Sequence, residues 1–114
     1  MVEQRLDAAF YALSDPTRRG MLASLALGEK SVGELAAPFD MTFAGASKHV
    51  KVLETAGLLA RRKVGRMQLC SIKAEPLAEA ERWLRQWERF WTDNLDRLQV
   101  LVEADTHIKE TNNG

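Results

Sequence analysis

At 114 residues, 46% of them apolar and 28% charged, the chain has the size and mix of one globular domain, with nothing suggesting disorder or a fibre. The formal net charge is zero, so overall attraction to nucleic acid is absent, yet the charge is unevenly placed: between residues 42 and 73, Lys48, Lys51, Arg61, Arg62, Lys63, Arg66 and Lys73 are opposed only by Glu54. No run approaches the roughly 20 apolar residues of a membrane span, the start does not read as a signal peptide, and the single cysteine, Cys70, excludes an intrachain disulfide or a multi-cysteine zinc cage, so a cytoplasmic location is expected.

Leu6, Ala9, Phe10 and Leu13 recur at helical spacing and predict a short helix over residues 6–13. Ser14-Asp15-Pro16 punctuates it: Ser14 or Asp15 can cap the next helix, and Pro16 suits a first position whose N–H would go unpaired. That second helix runs to about residue 27, with Met21, Leu22 and Leu25 on one face and Gly28 as terminator. A third spans 31–37, opened by Ser31 with Glu34 at capping-box spacing and stopped by Pro38. Thr42 opens a fourth, 42–56, which Gly57 ends. Two helices joined by about four residues have the spacing of a helix-turn-helix unit.

After Gly57 the period changes, and two short strands, 58–63 and 66–72, are expected around Val64-Gly65. Met67, Leu69 and Ser71 alternate with Gln68, Cys70 and Ile72, leaving open which face is buried. Pro76 begins a last helix of roughly seven turns, reaching Val102 or beyond. Leu77, Leu84, Trp87, Trp91, Leu95, Leu98 and Val102 form a near-heptad seam that Trp83, Phe90 and Leu101 widen, and residues 111–114 are expected to fray. The predicted architecture is mainly α with a small β-hairpin wing: one winged helix-turn-helix domain over 1–114, with a recognition helix at 42–56, a wing at 58–72 and a dimerisation helix at 76–105.

A DNA major groove about 12 Å wide admits one α-helix. On the fourth helix Phe43, Ala46, Val50 and Leu53 fall together and are expected to dock on the body, while Ala44, Gly45, Ser47, Lys48 and Lys51 project elsewhere. Ala44 and Gly45 permit close approach, Ser47 can donate or accept, the lysines reach phosphates or guanine edges, and the positive helix end favours a phosphate near Thr42. Such a helix alone is equally an ordinary amphipathic one. Arg61, Arg62, Lys63 and Arg66 around the hairpin tip shift the balance toward an anionic partner, double-stranded DNA entered at its minor groove. Trp83, Trp87, Phe90 and Trp91 carry more aromatic surface than one small core covers, at about 150–250 Å² each. A homodimer formed by the first and last helices is therefore expected, through Leu6, Phe10, Trp83, Trp87, Trp91, Leu95 and Leu98.

Ser14-Asp15-Pro16-Thr17-Arg18-Arg19, Val32-Gly33-Glu34-Leu35-Ala36, Ser47-Lys48-His49-Val50-Lys51-Val52-Leu53-Glu54-Thr55-Ala56-Gly57-Leu58 and Gly65-Arg66 together resemble the bacterial ArsR family over roughly residues 6–105. The resemblance implies a winged-helix homodimer that occupies operator DNA and leaves it when a metal or another signal binds; Phe43 stands where many relatives carry Gln. The family's thiolate site would need cysteines in 31–37, which has neither Cys nor His, and its second site would fall where this chain has Glu75, Leu77, Glu88 and Trp91. Asp96, His107 and Glu110 mimic that spacing about twenty residues too late. No metal and no cofactor are expected, Cys70 reads as an inert thiol, and a small-molecule or redox effector stays open. Without a Ser/His/Asp set or a Gly-rich phosphate loop, an enzyme is not expected; the competing reading is a protein-interaction module.

Overall fold

The computed structural model describes residues 2–112, with side chains over 3–104. In chain order the elements are α1 (Val2–Leu13), α2 (Pro16–Leu25), β1 (Lys30–Ser31), α3 (Val32–Ala36), α4 (Phe43–Thr55), β2 (Leu59–Val64), β3 (Met67–Ile72), α5 (Glu75–Arg85) and α6 (Glu88–Asn112). They group into two compact units, Met1–Ala80 and Glu81–Gly114. The side chains of His107 and Glu110 and the end of the 111–114 tail lie outside the described residues.

Local chemistry sets the boundaries in the first unit. Asp15 accepts the Arg18 N–H at 3.1 Å, with Pro16 beginning α2. Ser31 and Glu34 form the reciprocal capping box at 3.1 and 3.0 Å, and Thr42 Oγ1 accepts the Gly45 N–H at 3.0 Å. At the far end of α4, Gly57 takes φ 75°, while the N–H groups of Gly57 and Leu58 return to the carbonyls of Glu54 and Leu53, both at 2.9 Å. That paired closure turns the chain sharply from helix into β2.

The core of this unit gathers Met21, Leu22 and Leu25 from α2, Val32 and Leu35 from α3, Ala46, Val50 and Leu53 from α4, and Leu58, Leu59 and Cys70 from the sheet side. Gly20 admits the ring of Phe39 from the α3–α4 connection: a Cβ at Gly20 would lie 2.8 Å from Phe39 Cζ. The turn before α4 is thereby seated on α2.

Two expectations are corrected, the position of the hairpin turn and the continuity of the last helix. The expected hairpin wing forms from β2 and β3, and the two-residue β1 extends it to a three-stranded antiparallel sheet in the order β1-β3-β2, with Lys30 opposite Cys70 and Ser31 opposite Leu69. Its β2–β3 turn is Gly65-Arg66 rather than Val64-Gly65, since Val64 pairs with Met67 and Gly65 takes φ 61° at the first loop position, where a two-residue hairpin favours glycine. The final helix is not continuous either. Gln86 and Trp87 donate to the carbonyls of Trp83 and Leu84, three residues back, at 3.3 and 3.0 Å, and the ordinary ladder resumes when Trp91 donates to Trp87 at 3.1 Å. Neither Pro nor Gly marks that interruption.

Candidate nucleic-acid interface

Helix α4 has two contrasting sides. Ala46, Val50 and Leu53 are fully buried, whereas Ala44, Lys48 and Lys51 lie exposed on the opposite side, with Thr42 at the exposed cap and Gly45 and Ser47 half-buried beside it. Phe43 departs from expectation. Grouped by helical angle with the docking face, it is instead 64% exposed at the first position of the helix, beside Val32 and Gly33 of α3. It borders an open cleft of about 470 Å³ whose other walls include Ser47, Arg61, Arg66 and Met67.

The wing cations are not equivalent. Arg61 Nη2 lies 3.2 Å from Glu54 Oε1 on α4, and its Nη1 donates to Gln68 Oε1 at 3.1 Å. Arg62 grips Glu29 through two parallel bonds of 2.8 and 2.9 Å. That pairing holds the Glu29 carboxyl below the usual carboxylate range and raises Arg62. Strand alternation puts Arg62 on the ribbon face opposite Arg61 and Lys63, so the three strand cations of the predicted cluster are divided between two faces, with Arg66 in the turn. Lys63 and Arg66 are exposed at the tip, and no ion pair engages either among the described residues.

Arg18 is a positioning group for which sequence reasoning had assigned no role. Buried to 7% exposure, it donates from Nε to the Ala12 carbonyl at 2.7 Å and from Nη2 to the Tyr11 carbonyl at 3.0 Å, and its guanidinium lies 5.2 Å from the centre of the Tyr11 ring. Its Nη1 lies 3.2 Å from His49 Nδ1 on α4. Arginine only donates, so Nδ1 accepts and a neutral His49 carries its proton on Nε2. Arg19 adds a 2.7 Å bond to the Leu13 carbonyl. The clue was available: two cations in the first turn of α2 oppose the helix dipole, and the terminal carbonyls of α1 explain them.

In the second unit Trp83 and Trp87 have ring centres 6.0 Å apart, and Trp87 meets Phe90 edge-on at 6.5 Å. Trp87, Trp91, Leu95 and Leu98 are exposed within a single chain, as are Leu101 and Val102. Leu6, expected at a subunit interface, is instead already buried within the chain. Cys70 is fully buried, and desolvation pushes its thiol pKa up. Among the described residues no group of His, Cys, Asp and Glu could hold a metal ion, and no helix is long and apolar enough to cross a membrane.

A helix-turn-helix domain family matches residues 13–62. The HTH-type transcriptional regulator Rv2034 of Mycobacterium tuberculosis is 35% identical over 99 residues, covering 87% of this chain and 90% of that protein. The transcriptional repressor SdpR of Bacillus subtilis is 28% identical over 79 residues, covering 69% and 88%. The crystal structure of an ArsR family transcriptional regulator superposes with a TM-score of 0.73 at 40% identity, covering 79% of this chain and 93% of that one. A helix-turn-helix followed by a β wing, with relatives of this closeness, makes the chain a DNA-binding transcriptional regulator of the ArsR family.

Proposed function

We propose that the protein is a cytoplasmic, non-enzymatic homodimer that represses transcription by holding an operator until an effector releases it, the whole chain serving as one winged helix-turn-helix domain. The supporting observation is the exposed stripe of Ala44, Lys48 and Lys51 on a helix whose opposite side is fully buried. That division leaves a rigid, basic ridge suited to a major groove. In this reading Ala44 and Gly45 allow close approach, Ser47, Lys48 and Lys51 meet bases or phosphates, and Thr42 lies near a phosphate. Lys63 and Arg66 reach the neighbouring backbone from the wing tip, while Arg61 and Arg62, held by carboxylates, orient the ribbon more than they neutralise DNA. Burial of Cys70 favours a packing role over redox sensing.

Selection of bound fragments from the host genome tests the reading. The wild-type protein should retain a common sequence, and Lys48→Ala with Lys51→Ala should weaken its binding at least tenfold, as lost phosphate contacts would. Normal binding by that double variant overturns the assignment of α4 as the recognition helix. The interaction-module reading would instead leave no selectable sequence and no steep salt response.

A further inference from the structure

Phe43 directly follows the cap of α4 and stands 64% exposed on the helix that enters DNA in the reading above, on which this inference rests. Exposed phenyl surface is unfavourable in water and becomes favourable when a partner covers it. The neighbours leave room for one. Ala44 and Gly45 have little bulk, and Thr42 is tied back to the Gly45 N–H. Ser47, one turn on, shares the flank of the cleft, and Met67 and Arg66 stand across it.

A phenyl ring has no donor or acceptor, so it cannot read the nitrogen and oxygen edges of bases. In the major groove the apolar feature is the 5-methyl of thymine, which an aromatic or aliphatic side chain can contact. Early residues of a recognition helix are those that reach base edges. We infer that Phe43 is a specificity-determining residue that packs on the 5-methyl group of a thymine at a fixed position in each half-site.

The test replaces each thymine of the selected operator by uracil, which removes only the methyl group. Binding by the wild-type protein should fall about fourfold per half-site at one position, the loss of one buried methyl-sized contact, and be unaffected elsewhere. Phe43→Ala should bind the thymine operator less tightly and no longer distinguish uracil at that position, whereas Phe43→Leu should keep part of the discrimination. Because Phe43 is exposed, the alanine variant should melt as the wild type does. Equal wild-type binding to every uracil-substituted operator overturns the inference while leaving DNA recognition intact, and so does unchanged discrimination by Phe43→Ala. Failure of the wild-type protein to select any DNA overturns the function itself and this inference with it.

Discussion

Arg18 shows how one side chain can set the pose of a helix it does not belong to. Its guanidinium satisfies two terminal carbonyls of α1 and meets His49 on α4, so it holds three helices at one point. Removing it takes the side-chain donor from the buried Ala12 carbonyl, while the Tyr11 carbonyl keeps the Ser14 N–H and hydroxyl, and Arg18→Ala should lower stability by on the order of 3 kcal/mol; urea denaturation checks this. Arg18→Lys should recover little, because one ammonium cannot span acceptors that the planar fork reaches together. Phe43 carries the opposite lesson about legibility. Helical angle alone placed it with Ala46, Val50 and Leu53, but angle says nothing about whether the body extends far enough to cover an N-terminal residue. Cys70 was undecided for a similar reason: on a strand with apolar residues on both sides, only the strand's neighbours choose the inner face.

The caps and turns were the legible elements. Ser31-x-x-Glu34, Asp15-Pro16, Thr42 and Gly57 fixed the starts of α2, α3 and α4 and the end of α4, because these effects act within a few residues. Strand β1 was not legible, since two residues have no period and exist as a strand only by pairing with β3. The break between α5 and α6 lacks a breaker residue and was equally silent. Backbone N–H bonds hold the carboxyls of Asp15 and Glu34 below their ordinary pKa values. A folded-state pKa below the unfolded one gives stability that is present above the unfolded value, about 4, and is lost as pH falls through the folded value. Thermal melts should therefore show stability declining below about pH 4.5. Ser31→Ala should cost about 1 kcal/mol at neutral pH and flatten part of that decline. For the wing, Lys63→Ala and Arg66→Ala should each reduce the log–log salt slope of operator binding by about 0.9. Arg62→Ala should change the slope less, because Glu29 already compensates its charge. Binding titrations across salt concentrations separate the three.

At the scale of the whole molecule, the proposed homodimer would cover the aromatic and leucine seam with a second chain. If α6 lies on its counterpart, two recognition helices can fall about 34–36 Å apart, one turn of duplex. Leu95→Asp with Leu98→Asp changes only exposed positions, so the variant should keep its helical circular dichroism, sediment as a monomer and bind operator about 100-fold or more weakly. A dimeric double variant would send the search for the subunit contact to another surface. Shared burial of that seam would also make abundance itself a control variable. At low copy number lone chains predominate, and paired ones then rise as the square of the total, so occupancy of the gene switch steepens with synthesis. Each newly made chain would meanwhile carry its uncovered tryptophans through the cell until it found a twin, which favours prompt pairing near the site of translation.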